Sequence, residues 1–449
     1  MLPEINVIPS DSLVHERISI VVNELEFQKL YKIELRLIHK TGTYRSFGVF
    51  KASVSGRIDL RRDAPIRGTY CGVNERGLFE SVEPTESVRY GGYFNCTPPV
   101  DFEYQLIVTD SQEQLVSKKV FKRRLRHPLV ERIEIEETYP SDNDAHNGHE
   151  INKIETSSLL DQSRNPKITG TIFKPPGVGP FPTIIDISGT GGGLNEQKGA
   201  ALASRGFVVL CLAFFKFKNL TDDLLSVDLQ YFEDAINYIT SLPYTSERIG
   251  FQGVSFGGTL VMYLATKFPK IKAVCSINGS FAMDEFSHIR VNGERPPIGI
   301  FSPNGGHVRF LNDLMVYTDM VKNITLEDGA EFQFENSTKD TAFRFVSALD
   351  DLSVPTVRST NRLSERLRKL GRIVDVDFVP GGHLLDPPCF PHHPMVYSNI
   401  AGLFQTYGGE TSLHGKSEFE VWERTVKFFS EHLGAPTPLS DYLRLSAKL

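Results

Sequence analysis

Cysteine is scarce in this 449-residue chain: there are five, Cys71, Cys96, Cys211, Cys275 and Cys389, and none forms a CxxC pair. An odd, scattered set excludes a disulfide-stapled scaffold and a zinc site of the usual spacing, and fits reduced thiols. Long apolar runs are missing as well. The longest, Phe207 to Phe215, has nine residues, against the ~20 that a helix needs to cross a bilayer. The opening segment MLPEINVIPS has neither a basic stretch leading into an apolar one nor an Arg-rich composition. No secretory or transit signal is therefore expected, and sequons such as Asn95-Cys96-Thr97 are read as chance matches. Nor is there a surplus of positive charge: 49 Lys and Arg stand against 55 Asp and Glu, a net of -6. This excludes a general attraction for nucleic acid or an anionic membrane, so a polyanionic ligand has to be held by local groups.

What is present is 40% hydrophobic and 23% charged, which excludes disorder as a description of the whole chain. The length is about three times the ~150-residue domain prior and predicts more than one core. Residues 1–125 alternate in short runs. Arg17-Ile-Ser-Ile-Val-Val, Tyr31-Lys-Ile-Glu-Leu-Arg-Leu, Tyr104-Gln-Leu-Ile-Val and Leu115-Val-Ser-Lys-Lys-Val-Phe read as half-buried strands of an antiparallel sandwich. Lys122-Arg123-Arg124 and Arg126 read as a solvated strand end.

Residues 126–165 turn polar around Asp142 to Glu150, the composition of an exposed connection; His146 and His149 there read as a solvated pair rather than metal ligands. From 166 to 440 strands alternate with helices, as in a parallel sheet covered on both faces. Expected strands are Thr183 to Ile187, Phe207 to Leu212, Arg248 to Val254, Lys272 to Ile277, Thr341 to Leu349 and Arg372 to Val379. Expected helices are Leu194 to Arg205, Asp228 to Leu242, Phe256 to Phe268 and Glu418 to Leu433, the last with Trp422 on a packing face; residues 280–340 have no clear period. The tail, 441–449, ends in Ala447-Lys448-Leu449, close to the Ser-Lys-Leu tripeptide that a peroxisomal import receptor reads.

Gly253-Val254-Ser255-Phe256-Gly257-Gly258 stands between an expected strand and an expected helix, the setting of a nucleophile elbow. The strained turn needs tiny neighbours two before and two after the serine, and Gly253 and Gly257 supply them. Such a serine needs a histidine to take its proton and a carboxylate to orient that histidine, in the chain order Ser, acid, His. Asp350 and Asp351 follow one strand, and His383, in Pro380-Gly-Gly-His, follows the next. Asp351 is favoured over Asp350 through its Asp-x-x-Val-Pro spacing. The oxyanion requires two backbone donors, one being Phe256. The other is Thr190 or Gly191 in the loop Ser188-Gly-Thr-Gly-Gly-Gly193. A dinucleotide fingerprint is the rival reading of Gly189-x-Gly191, but Leu194 fills the third glycine position.

Gly170-Thr-Ile-Phe-Lys-Pro-Pro-Gly-Val-Gly-Pro-Phe-Pro, Tyr231-Phe-Glu-Asp-Ala-Ile-Asn-Tyr, Ile277-Asn-Gly-Ser and Gly382-His-Leu-Leu-Asp-Pro-Pro-Cys-Phe-Pro391 resemble the type I acyl-CoA thioesterases and bile acid-CoA:amino acid N-acyltransferases. In front, Gly68-Thr-Tyr-Cys-Gly-Val73 and Gly77-Leu-Phe79 resemble the same family, and the match runs from about Leu13 to Gly434. The resemblance implies an immunoglobulin-like sandwich joined to an α/β-hydrolase domain that acts on acyl-CoA, with Ser255, Asp351 and His383 as nucleophile, acid and base and with no cofactor or metal. Phe256 departs from the family's common Lys or Leu; Glu75-Arg76 and Glu80 also depart and are expected on the sandwich surface.

The resemblance also implies hydrolysis to fatty acid and coenzyme A through an acyl-enzyme. Amino-acid conjugation is the alternative, and family members that conjugate carry cysteine at the nucleophile position; a general carboxylesterase keeps the same three residues. Phe281, Phe286, Phe301, Phe310, Leu311, Leu314 and Met315 are candidates for an acyl slot, and Lys216 and Lys218 for the coenzyme's phosphates.

Overall fold

Along the first 125 residues the alternation builds sheets with one dry face. In Leu30–His39, Tyr31, Ile33, Leu35 and Leu37 are buried while Leu30, Arg36 and Ile38 face solvent. The computed structural model describes residues 3–135, 168–302, 308–398, 402–437 and 439. Leu30–His39 lies in a sheet ordered Asp11–Leu13, Leu115–Arg124, Phe102–Thr109, Leu30–His39, Gly42–Lys51 and Arg67–Gly68, with Glu83–Pro84 also on Gly42–Lys51. A three-stranded sheet of Glu4–Ile8, Ser19–Asn23 and Ile58–Asp59 shares its core, through Ile5, Val7, Ile20 and Val22. All pairs are antiparallel except that of Asp11–Leu13 with Leu115–Arg124. The expected antiparallel sandwich is present.

The second domain is one eight-stranded sheet: β1 (Glu131–Ile135), β2 (Thr169–Lys174), β3 (Phe181–Ile187), β4 (Val208–Ala213), β5 (Thr245–Val254), β6 (Ile271–Ile277), β7 (Ala342–Ala348) and β8 (Ile373–Val379). Their order is 1-2-4-3-5-6-7-8, with β1 and β2 antiparallel to their neighbours and the rest parallel. That is an α/β-hydrolase sheet. Continuous apolar runs such as Val208 to Ala213 follow from burial on both faces. On one face lie α2 (Leu229–Ser241), α3 (Phe256–Ala265) and α4 (Thr356–Lys369), sharing a core of Phe232, Ile236, Leu260 and Leu363. On the other lie α1 (Gln197–Ala203) and α5 (Thr411–Leu433), whose core runs on into the sandwich. Chain order reverses between adjacent strands β3 and β5, so their carboxyl ends frame the crevice where such sheets hold ligands.

The two domains are closely joined. A Cβ added to Gly415 of α5 would stand 2.2 Å from the Glu80 carbonyl oxygen. The Tyr104 hydroxyl donates to the Cys389 carbonyl at 3.2 Å, and the Phe94 N–H to His393 Nε2 at 3.2 Å. The Phe390 ring packs against Phe94 and Phe102. The segment that follows His383 is thus clamped by the sandwich.

Several expectations need correction. Within the stretch 126–165 expected as a connection, Glu131–Ile135 is an edge strand paired with β2, and residues 136–165 lie outside the described residues. His146 and His149, like the tripeptide Ala447-Lys448-Leu449, lie outside the described residues. Arg123 is not solvated: it is buried and donates to Ser12 Oγ and the Val14 and Glu16 carbonyls, each at 2.7 Å. Nor is Glu80 a surface group, since α5 covers it; Arg76 pairs with it at 3.1 Å and lies over the Phe419 ring.

Helix α4 was not expected because it buries Thr356, Ser359, Thr360 and Ser364, with only Leu363 and Leu367 as large apolar groups. Helix α5 starts at Thr411, seven positions before Glu418, with the Glu410 side chain capping the Ser412 and Leu413 amides. Its first turns bury Gly415 and polar His414, which carry no hydrophobic period. Trp422 is buried, as expected. Among the described residues no helix is long and apolar enough to cross a membrane.

Candidate active site

Ser255 sits between β5 and α3 at φ 60°, ψ −127°. This backbone is costly for a residue with a side chain, and it is held by the Ser255 N–H donating to the Ile277 carbonyl at 2.9 Å. The flanking glycines are required by contact. A Cβ on Gly253 would meet the Gly257 carbonyl carbon at 2.4 Å, and one on Gly257 the Ser188 oxygen at 2.4 Å. The turn lifts the hydroxyl to the carboxyl edge of the sheet.

His383 Nε2 is 2.8 Å from Ser255 Oγ, and His383 Nδ1 is 2.7 Å from Asp351 Oδ2. Asp351 Oδ1 accepts the Ser353 and Val354 amides at 2.8 and 2.9 Å. A carboxylate held by two N–H groups fixes the imidazole tautomer with its proton on Nδ1, leaving Nε2 to accept from the serine. All three groups are well buried apart from the serine's access to a cavity. Asp350 points elsewhere: it is exposed and its N–H donates to the Gly381 carbonyl.

Sequence reasoning missed the residues that hold the histidine. Asn278, at the end of β6 with φ 51°, donates through Nδ2 to the His383 carbonyl at 2.7 Å and the Gly382 carbonyl at 3.3 Å. Its Oδ1 accepts the Ala348 amide at 2.8 Å, which ties β7 to the same side chain. The advance sign was an asparagine followed by glycine at a strand end, inside Ile277-Asn-Gly-Ser, a motif that carried the resemblance but was given no role. His414 of α5 accepts the Gly382 N–H at 3.0 Å through Nδ1; burial pushes its pKa down to about 4, so it stays neutral and able to accept. The His383 N–H donates to the Tyr407 carbonyl at 2.9 Å.

The glycine loop lies against the elbow: a Cβ on Gly189 would stand 3.3 Å from Ser255 Oγ. The loop's internal bonds use the Gly192 amide, given to the Gly189 carbonyl, and the Gly193 amide, given to the Phe215 carbonyl. Thr190 and Gly191 occupy the middle of that turn, and Thr190 and Phe256 both line the cavity at Ser255. Arranged this way, the group can activate a hydroxyl and receive a developing oxyanion beside it.

That cavity measures about 190 Å³ and is bounded by Ser255, His383, Phe286, Met315, Met320 and Val321. Of the apolar residues expected there, Phe286 and Met315 line it. Phe281 is buried beneath Arg362, and Phe301 packs between Phe286 and Tyr317 without lining the cavity. Phe310 and Leu311 are exposed on the strand Arg309–Leu311, and Leu314 does not reach the cavity. With Arg309–Leu311, the strands Leu314–Val316, Leu403–Thr406 and Met395–Ser398 form the small four-stranded sheet that contributes Met315, Gln405 and Ser398 to the lining. At the cavity wall, burial pushes the Asp284 carboxyl up to about 6. Lys216 lies beside Gly192 with its Nζ over the Phe215 ring at 5.5 Å, whereas Lys218 pairs with Glu134 at 3.6 Å.

Residues 15–137 match the region described as "Acyl-CoA thioester hydrolase/BAAT N-terminal region", and residues 227–435 match "BAAT / Acyl-CoA thioester hydrolase C terminal". Acyl-coenzyme A thioesterase 1 of Rattus norvegicus is 28% identical over 93% of this chain and 94% of its own. The peroxisomal succinyl-coenzyme A thioesterase of Mus musculus is 27% identical over 91% of this chain and 90% of its own. Among solved structures, acylaminoacyl peptidase of Pyrococcus horikoshii matches at 12% identity and TM-score 0.40, covering 97% of this chain and 62% of that one; the fold assignment rests on the strand order instead. Two matched regions, front and rear, of one architecture carry the conclusion that this chain belongs to the family of acyl-CoA thioester hydrolases and bile acid-CoA:amino acid N-acyltransferases.

Proposed function

We propose that this chain is an acyl-CoA thioesterase that releases fatty acid and coenzyme A by a serine-dependent route. The observation that carries the reading is the unbroken hydrogen-bonded series Ser255, His383, Asp351 opening on an apolar cavity. Ser255 Oγ attacks the thioester carbonyl carbon while His383 Nε2 takes its proton. The amide of Phe256 and that of Thr190 or Gly191 receive the oxyanion, each donor lowering the barrier by about 3 kcal/mol. Collapse breaks the carbon–sulfur bond, and the imidazolium returns its proton to the departing sulfur. Water then gives a proton to His383 and attacks the acyl-enzyme, freeing the acid and Ser255. The Asp351 carboxylate stabilises the imidazolium in both halves.

Transfer to an amino acid is the competing reading, and a serine nucleophile favours water over an amine as acceptor. Release of coenzyme A from palmitoyl-CoA tests both. Ser255→Ala should cut turnover by roughly 10⁶, and glycine or taurine added to the unaltered enzyme should leave the free acid as product. Coenzyme A release that survives Ser255→Ala would overturn the proposal, and amide product would replace it with conjugation. For cellular location we propose the peroxisome, on the strength of Ala447-Lys448-Leu449 and of a relative so named.

A further inference from the structure

A second cavity, of about 230 Å³, also opens on Ser255 and shares Thr190 and Tyr407 with the first. Its wall takes in Gly189 to Gly192 and Asn195 from the glycine loop and Leu384, the neighbour of His383. The loop of the oxyanion donors and the loop of the base therefore border one open space, and their separation has to be fixed from behind.

Most polar ties of residues 382–386 run elsewhere. Asn278 at the end of β6 holds the Gly382 and His383 carbonyls, His414 and Glu418 of α5 accept the Gly382 and Asp386 amides, and the Tyr407 carbonyl accepts the His383 amide. The tie towards the glycine loop is ionic. Lys198 Nζ of α1 lies 2.6 Å from Asp386 Oδ1, and Gln197 Nε2 donates to the same oxygen at 3.4 Å. Lys198 follows Gly193 by five positions, and Asp386 follows His383 by three. Helix α1 is a firm anchor for such a tie. All its residues are buried, and a Cβ on Gly199 would stand 2.1 Å from Cys211 Sγ of β4, so the helix already lies as close to the sheet as it can.

Lys198 and Asp386 are both more than nine-tenths buried. Taking two ions out of water offsets most of their attraction, and an apolar pair of similar volume is often as stable or more so. Stability therefore gives no reason for ions here. Their charge states are nonetheless well defined. Burial opposes the charge of Lys198, but Asp386, Asp186 and Glu418 outweigh it and hold the ammonium pKa above its ordinary value. Burial also opposes the charge of Asp386, and Lys198 outweighs it, whereas burial pushes the Glu418 carboxyl well up. One ammonium thus faces one ionised partner through a short, directional, charge-assisted bond, which fixes a distance in a way that apolar contact does not.

We infer that Lys198 and Asp386 are positioning residues: their ion pair sets the spacing between the His383 loop and the glycine loop, so that the base and the oxyanion donors meet one reacting carbonyl. This rests on the serine-dependent reading above. The test compares the unaltered chain with Lys198→Met/Asp386→Leu, which puts an apolar pair of similar volume in the same place. Two rates are measured: kcat for palmitoyl-CoA, and the labelling of Ser255 by an alkyl fluorophosphonate, in which the serine oxygen bonds to phosphorus, fluoride leaves and His383 takes the serine proton. The melting temperature of the double variant should equal or exceed that of the unaltered chain, while both rates fall by roughly 10² and KM moves little. A folded double variant with both rates unchanged, or with a change in KM alone, would overturn the inference. Should the double variant fail to fold, Lys198→Arg carries the test: it keeps the charge but lengthens the tie, so both rates should fall, and unchanged rates would overturn the inference. Absence of Ser255 labelling in the unaltered chain would overturn the serine-dependent reading itself, a distinct result.

Discussion

Asn278 holds His383 to the sheet: one side-chain amide donates to the histidine's own carbonyl at 2.7 Å and accepts the amide of Ala348 at 2.8 Å. The strand end that anchors the Ser255 backbone, the strand before Asp351 and the loop bearing His383 are thereby joined through one group. Since displacement of reacting groups by about 1 Å costs roughly 10² in rate, Asn278→Ala should lower kcat about a hundredfold with little change in KM. Asn278→Asp keeps the acceptor for Ala348 and loses the donors to Gly382 and His383, so it should lower kcat as well. A KM effect alone in steady-state kinetics, with kcat unchanged, would remove Asn278 from the positioning role.

Adjacent acids give a sharp contrast. Asp351→Asn should lower turnover by about 10⁴, because an amide at that place favours the wrong imidazole tautomer. Asp350→Asn alters an exposed side chain and should leave turnover near that of the unaltered chain. Steady-state rates of the two variants decide it, and equal losses would reject the assignment of Asp351.

Asp284 makes stability depend on pH. Its pKa rises from an ordinary 3.8 to about 6 through burial, so the folded state holds a proton that the unfolded chain releases between those values. Burial of this group has no cost below about pH 4. It destabilises progressively as pH rises, to roughly 3 kcal/mol above pH 6. Asp284→Asn keeps an acceptor for the Phe286 amide and should raise the melting temperature more at pH 8 than at pH 4. Equal gains at both pH values would count against a buried, titrating Asp284.

Gly415 tests the docking of the two domains. In a free helix, Gly→Ala stabilises by about 1 kcal/mol. Against the Glu80 backbone the added methyl has no room, and overpacking costs about 1–3 kcal/mol. Thermal denaturation of Gly415→Ala should therefore show a lower melting temperature; a higher one would mean that α5 does not press on the sandwich.

Import is checked by truncation. A chain tagged at its front should enter peroxisomes, and removal of Ala447, Lys448 and Leu449 should leave it outside. Unchanged import after the removal would refute the tripeptide as an address.

Much of the site was legible because its rules are local. The elbow is signalled within five residues, Gly253 to Gly257, although the contact that requires glycine at 257 comes from the Ser188 carbonyl of the neighbouring loop, and the Ser, acid, His order follows from successive strands of one sheet. Helix α4 escaped notice because its buried face, though at helical spacing, is mostly Ser and Thr with only Leu363 and Leu367 as large apolar groups, and the first turns of α5 because they bury Gly and His. Lys122-Arg123-Arg124 misled in the opposite way: a run of cations reads as wet, yet three oxygens at 2.7 Å allow Arg123 to be buried.

By itself the sequence determined an alternating front half, a strand–helix rear half and a strained serine turn, because periodicity and backbone sterics act between near neighbours. Only the tertiary structure decided that Asp351 rather than its neighbour reaches the imidazole, that Asn278 and His414 brace the histidine loop, and that two cavities part at Ser255. Those facts depend on contacts between residues 105 positions apart, as for Asn278 and His383, or 299 apart, as for Phe94 and His393. No local pattern encodes such contacts; they arise when two hydrophobic cores close on each other and carry the polar groups at their seam into register.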